Sequence, residues 1–146
     1  EIKQFWKKIP APFLDRFDIR VPVLPENIED TTSKAELPPP LEKIAHAARL
    51  QEQRYSQLDA IHRNGDMVHS ITGISHALTI FKSLLERLHS FHDISTQSAR
   101  TILSIASVAQ TIGDLENNGE VTDKALAEAV QLHHYGNTDI FWRELS

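Results

Sequence analysis

The chain has 146 residues, no cysteine and a formal net charge of -5, with 40% hydrophobic and 24% charged residues. That is enough apolar material for one domain with a buried core, and the acidic balance argues against a stand-alone nucleic-acid binder, which would carry a basic face. The lack of cysteine excludes disulfides and thiolate metal sites, and the lack of a basic-then-apolar leader or a membrane-length apolar run points to the cytoplasm.

Residues 1–12 are mixed, with Phe5, Trp6 and Ile9 as the main apolar positions. Lys3, Lys7, Lys8, Arg16 and Arg20 make this end slightly basic. Phe13-Leu14-Asp15-Arg16-Phe17-Asp18 then sets an arginine between two aspartates. The alternation that follows predicts a short half-buried strand over Phe17–Leu24, with Pro22 suiting an edge or an end. Nothing downstream reads as a partner strand, and a strand without a sheet is hard to stabilise. The chain therefore reads as a piece of something larger. Residues 25–40 are polar, lack a sustained period and end in Pro38-Pro39-Pro40, which predicts a linker.

From Leu41 onward the pattern is helical. Leu41, Ile44, Ala48, Tyr55 and Leu58 fall at helical spacing, a proline precedes them, and Asn64-Gly65-Asp66 is the stop. A second helix is expected within Met67–Phe91, striped by Ile74, Leu78, Phe81, Leu85, Leu88 and Phe91, with Gly73 marking an irregular start. Ser95, Thr96 or Ser98 caps the third, which carries Ala99, Ile102, Ala106, Ala109 and Ile112 and halts at Asn117-Asn118-Gly119. Thr122 caps a last helix with Leu126, Ala129 and Val130 inside it, and Gly136 is a plausible stop. The expected organisation is residues 1–24, a linker 25–40, a helical domain 41–135 and a tail 136–146.

The sequence contains no G-x-x-x-x-G-K-[ST] phosphate loop, no G-x-S-x-G elbow and no H-E-x-x-H helix. His89 and His92 share a helical spacing beside Asp93, but a dedicated metal site needs three or four convergent ligands, so no metal is expected. His133 and His134 are adjacent and diverge on a helix. Two arginines stand out. Arg16 sits between aspartates, where an ion pair is the plain reading. Arg100 follows Ser98-Ala99 at a helix start, where backbone N–H groups and the dipole favour an anion. Together they suggest phosphate recognition, with the nucleotide held mainly elsewhere.

At these residues the chain resembles the C-terminal part of AAA+ ATPases, and most closely the magnesium-chelatase-like proteins of the ComM (YifB) group. Residues 9–19, IPAPFLDRFDI, resemble that family's I-S-G-P-L-L-D-R-I-D-L segment. Ala47 to Tyr55 resembles its A-R-x-x-Q-x-x-R-[FY] helix, and Asn64-Gly65-Asp66-Met67 its N-A-x-[ML] turn. Ser98-Ala99-Arg100 through Leu115 resembles S-A-R-A…A-R-T-I-A-D-L, and Ala127 to Val130 its A-E-A-I. The five segments run in register. Ala11, Ser104 and Gln110 depart from the pattern, the last two standing where the family has arginines.

The resemblance implies a mainly α fold: an AAA+ helical lid bundle preceded by a short strand from the end of the AAA+ core. It implies that Arg16 is an arginine finger acting in trans on a neighbouring subunit's ATP, with Asp15 and Asp18 orienting it. It implies that Arg100 is the sensor-2 arginine on the lid. The whole protein would use ATP and Mg2+, form a homo-oligomeric ring and remodel DNA, while this piece alone would bind no cofactor and not hydrolyse ATP. Two alternatives remain. One is a magnesium chelatase I-type subunit serving a metal-insertion complex. The other is a non-enzymatic helical interaction module.

Overall fold

A computed structural model of the protein describes residues 8–21, 40–59, 61–91, 94 and 97–134. Among them are seven helices: α1 (Ala11–Leu14), α2 (Leu41–Arg54), α3 (Asp66–His69), α4 (Ile71–Ile80), α5 (Lys82–Leu88), α6 (Ala99–Glu116) and α7 (Asp123–His134). No described residue lies in a strand, and the fold is the expected mainly helical bundle. No described helix is long and apolar enough to cross a membrane.

The bundle is organised around α6, which packs against α2, α3, α5 and α7. A helix touched from several sides must be buried on more than one face, and every residue from 103 to 110 is buried. Small residues make this possible: Ala106 and Ala109 are fully buried and let neighbouring helices approach. The ends of α6 follow the sequence signals. Of the three candidate caps, Ser98 acts, its Oγ accepting the Thr101 N–H at 3.2 Å. At the other end Asn118 and Gly119 take positive φ values of 52° and 91°, a conformation glycine reaches without penalty. The chain then reverses into α7, where Thr122 Oγ1 accepts the Ala125 N–H at 3.2 Å.

Three expected elements differ. The single helix over Met67–Phe91 is three: α3, α4 and α5. Ser70 takes an extended conformation (φ -122°, ψ 148°) and caps α4 by accepting the Gly73 N–H, and Phe81 breaks the run again. Each break resets the helical phase. The buried stripe is therefore Ala77, Phe81, Leu84 and Leu88, whereas the expected Ile74 and Leu78 are 40% and 60% exposed. Gly73 is needed where it stands, because a Cβ there would collide with the Asp66 carbonyl and the Met67 backbone. The expected strand is the second difference. Residues 17–21 form no ladder, and 22–24 lie outside the described residues, as do most of the linker, the tail, His92 and Asp93. With no strand among the described residues to pair with, this arm instead docks on a helix end. The Arg20 N–H donates to the Leu132 carbonyl at 2.9 Å, satisfying one acceptor in the last turn of α7.

Helix α2 also ends earlier than its pattern, at Arg54 rather than near Asn64. Its first turns stand away from the core, with Leu41 83% exposed, and burial begins at Ala47.

Candidate functional site

Two polar clusters bracket α6. The first lies inside the bundle and draws on residues from the end of α2, the turn after it and the C-terminal half of α6. Arg54 grips Asp114 with both Nη atoms, at 2.9 and 2.5 Å. The Asp114 side chain is fully buried and that of Arg54 is 20% exposed. Asn64 Nδ2 donates to Asp114 and to Thr111 Oγ1, at 2.9 and 3.0 Å. The Tyr55 hydroxyl donates to Asn64 Oδ1 at 2.6 Å, and the Asn64 N–H donates to Gln51 Oε1 at 3.2 Å. Gln110 Nε2 donates both to Asp114 and to the Gly119 carbonyl, at 3.2 and 2.8 Å.

Electrostatics follow from this closure. Burial works to lower the Arg54 pKa, but the hydrogen bond and charge of Asp114 outweigh it and the guanidinium is held above its ordinary value. The Tyr55 hydroxyl is pushed up to about 12, chiefly by burial. Both Arg54 Nη groups, the Asn64 amide and the Tyr55 hydroxyl have acceptors within the cluster, which therefore acts as a staple between α2 and α6.

The second cluster lies where the arm of residues 15–21 meets α3 and the start of α6. Asp18 Oδ1 accepts the Ser104 hydroxyl at 2.6 Å. Its other oxygen, Oδ2, meets His69 Nε2 at 3.0 Å. His69 Nδ1 in turn lies 3.2 Å from Arg100 Nη2. Arg100 Nη1 reaches the Val68 carbonyl at 3.4 Å, a long bond, while its buried Nε–H has no partner. This charged site is half open: the His69 and Asp18 side chains are 50% and 31% exposed.

The two arginines singled out by sequence thus have different settings. Arg100 is half-buried beside the capped start of α6 and keeps one donor in reserve. Arg16 is exposed, and its side chain makes no hydrogen bond or ion pair among the described residues. Asp18 does not orient it: that carboxylate turns to His69 and Ser104 instead, because a serine hydroxyl and an imidazole lie within reach on the lid. Arg16 and Arg100 do not touch, but Asp18 and His69 form a chain of contacts from one arginine's segment to the other.

Among the described residues no group of three or more His, Cys, Asp or Glu could hold an ion. The His133 and His134 rings meet edge to face with centroids 5.9 Å apart. His133 is buried at the foot of the arm, and neither of its ring nitrogens makes a hydrogen bond of acceptable geometry. Burial lowers its pKa, the Arg20 charge adds to this, and the Asp18 backbone and Asp15 oppose it.

Sequence reasoning passed over His69, for which no local signal exists, and read Ser104 only as a lost arginine. Asn64 was legible as a turn residue but not as a buried hub. Asp114 carried a detectable signal, a lone acid among apolar helical positions that calls for a cation.

A family model described as "Magnesium chelatase, subunit ChlI C-terminal" matches residues 41–133, from the start of α2 almost to the end of α7. No curated protein and no solved structure shows significant similarity to the chain. The matched span holds the interior staple and Arg100, and it makes up more than half of the 146 residues. The chain therefore belongs to the family of magnesium chelatase subunit ChlI C-terminal domains and is part of an AAA+ magnesium-chelatase-like protein.

Proposed function

We propose that the chain is the phosphate-sensing lid of an ATP-driven AAA+ ring, with Arg100 contacting ATP phosphate and Arg16 reaching the neighbouring subunit's nucleotide. The observation that carries this reading is the setting of Arg100. It stands in the first turn of an 18-residue helix, where backbone N–H groups favour an anion, and its Nε–H is buried without a partner. A guanidinium is always charged and presents donors in a fixed fork, which suits phosphate oxygens. Arg16, exposed and unpaired among the described residues, is available to a second chain. A finger supplied in trans implies a closed ring, since head-to-tail contacts must close to serve every site.

ATP with Mg2+ is the cofactor of this reading, held mainly by residues outside this chain, and the cytoplasm is its setting. For the client we favour DNA, on the five segments that resemble the ComM group in register. The second reading, a chelatase I-type subunit acting on a metal-insertion complex, is favoured by the description of the matching family.

The test uses the full-length protein. Turnover stimulated by DNA supports the ComM reading, and turnover stimulated only by chelatase partners supports the second. Arg16→Ala should lower kcat by about 10³-fold or more, the range of trans-acting fingers in well-studied phosphoryl transfer. Unchanged turnover would remove the finger assignment.

A further inference from the structure

We propose that His69 is a positioning residue that couples the phosphate-sensing arginine, Arg100, to the arm that carries Arg16. The inference rests on the reading of Arg100 as a phosphate contact, and goes beyond it by naming the element through which phosphate occupancy reaches the finger.

The argument starts from what each group can donate. Arginine has donors only, so His69 Nδ1, 3.2 Å from Arg100 Nη2, must accept. The proton of the neutral ring then sits on Nε2, which donates to Asp18 Oδ2 at 3.0 Å. Arg100 therefore fixes both the tautomer and the orientation of His69, and His69 in turn holds Asp18. Asp18 lies two residues after Arg16. Among the arm's other contacts are the Ser104 hydroxyl on Asp18 and the Arg20 N–H on Leu132, at 2.6 and 2.9 Å.

The unpartnered Nε–H and Nη2 form one fork of the guanidinium, and a phosphate that takes this fork bidentately draws Nη2 away from His69. When Arg100 turns to the anion, His69 loses the donor that orients it, Asp18 keeps only Ser104, and the arm is loosened. The reverse must also hold, because coupling between two sites is reciprocal: removing His69 frees Arg100 and tightens anion binding. A purely structural residue would not improve ligand affinity on its removal.

The experiment titrates inorganic pyrophosphate into the full-length protein, isotopically labelled in this segment, by NMR. It follows the Arg100 side-chain Nε–H for binding and Arg20 amide exchange for arm docking. In the wild type, pyrophosphate should shift Arg100 and speed Arg20 exchange by about fivefold, the scale of one net hydrogen bond. His69→Ala should bind pyrophosphate about fivefold more tightly, with Arg20 exchange already fast and unresponsive. His69→Gln, whose amide can accept from Arg100 and donate to Asp18, should restore wild-type behaviour. If pyrophosphate shifts Arg100 but leaves Arg20 exchange unchanged, and His69→Ala binds no more tightly, the coupling is wrong and the phosphate reading stands. If Arg100 responds to pyrophosphate in neither protein, the phosphate reading falls and the coupling falls with it.

Discussion

The two polar clusters on either side of α6 each link an arginine to an aspartate, Arg54 to Asp114 directly and Arg100 to Asp18 through His69, to opposite ends. Around Asp114 the charge is fully buried and every partner is present. Around Asp18 the groups are a third to a half exposed, one contact is as long as 3.4 Å, and a guanidinium N–H is left over. A buried, complete network resists change because losing any member strands a charge away from water. An exposed, incomplete network exchanges partners at little cost, since water or an anion replaces what is lost. The family's motif residues fall on both sides of this division: Arg54, Asn64 and Asp114 build the staple, and Arg100 belongs to the loose junction.

The largest expected effect breaks the staple. Asp114→Ala leaves Arg54 without its main partner and Asn64 Nδ2 with Thr111 alone, and should destabilise the chain by about 3 kcal/mol. In a chain of this size the midpoint of thermal unfolding would fall by about 6–12 °C. A midpoint within a degree or two of wild type would show that the cluster is not a staple.

pH should separate the clusters. Tyr55 in the staple has its pKa raised to about 12 from an ordinary 10.0, so the unfolded chain releases that proton first. Its stabilising contribution is complete below pH 10 and disappears as pH rises toward 12. Tyr55→Phe should flatten this alkaline loss in a series of thermal melts. His133, under the arm, has its pKa lowered from an ordinary 6.5, so the unfolded chain binds the proton first. Its contribution is complete above pH 6.5 and is lost as pH falls through the depressed value. His133→Leu should flatten the acid side and leave the alkaline side as it was. Should either substitution flatten the other's limb, the two regions would not be independent.

The smallest effect sharpens the comparison from the other side. Asp18→Ala removes the arm's contacts to His69 and Ser104, yet these groups are solvated, so global stability should change by less than about 1 kcal/mol. Amide exchange at Arg20 should nevertheless accelerate, because the substitution removes two of the contacts that hold the arm. A stability loss as large as that of Asp114→Ala would place the arm inside the cooperative core.

Local chemistry made several features readable from sequence. Ser98 and Thr122 cap helices because a side-chain oxygen meets an amide two or three residues on. Asn118 and Gly119 end α6 because they tolerate positive φ. The helical class follows from apolar spacing, and Arg16 and Arg100 stand out by their immediate neighbours. What the sequence alone could not decide was the partner of each side chain. Periodicity marks a stripe on Ile74 and Leu78 but not the breaks at Ser70 and Phe81 that turn it to solvent. Alternation at 17–21 suggests a strand, but a strand needs a neighbour, and here the available acceptor was the end of α7. Asp114 finds Arg54 60 residues away and Asp18 finds Ser104 86 residues away. Only packing brings such pairs together, because spacing along a chain specifies a face and leaves open what that face will meet.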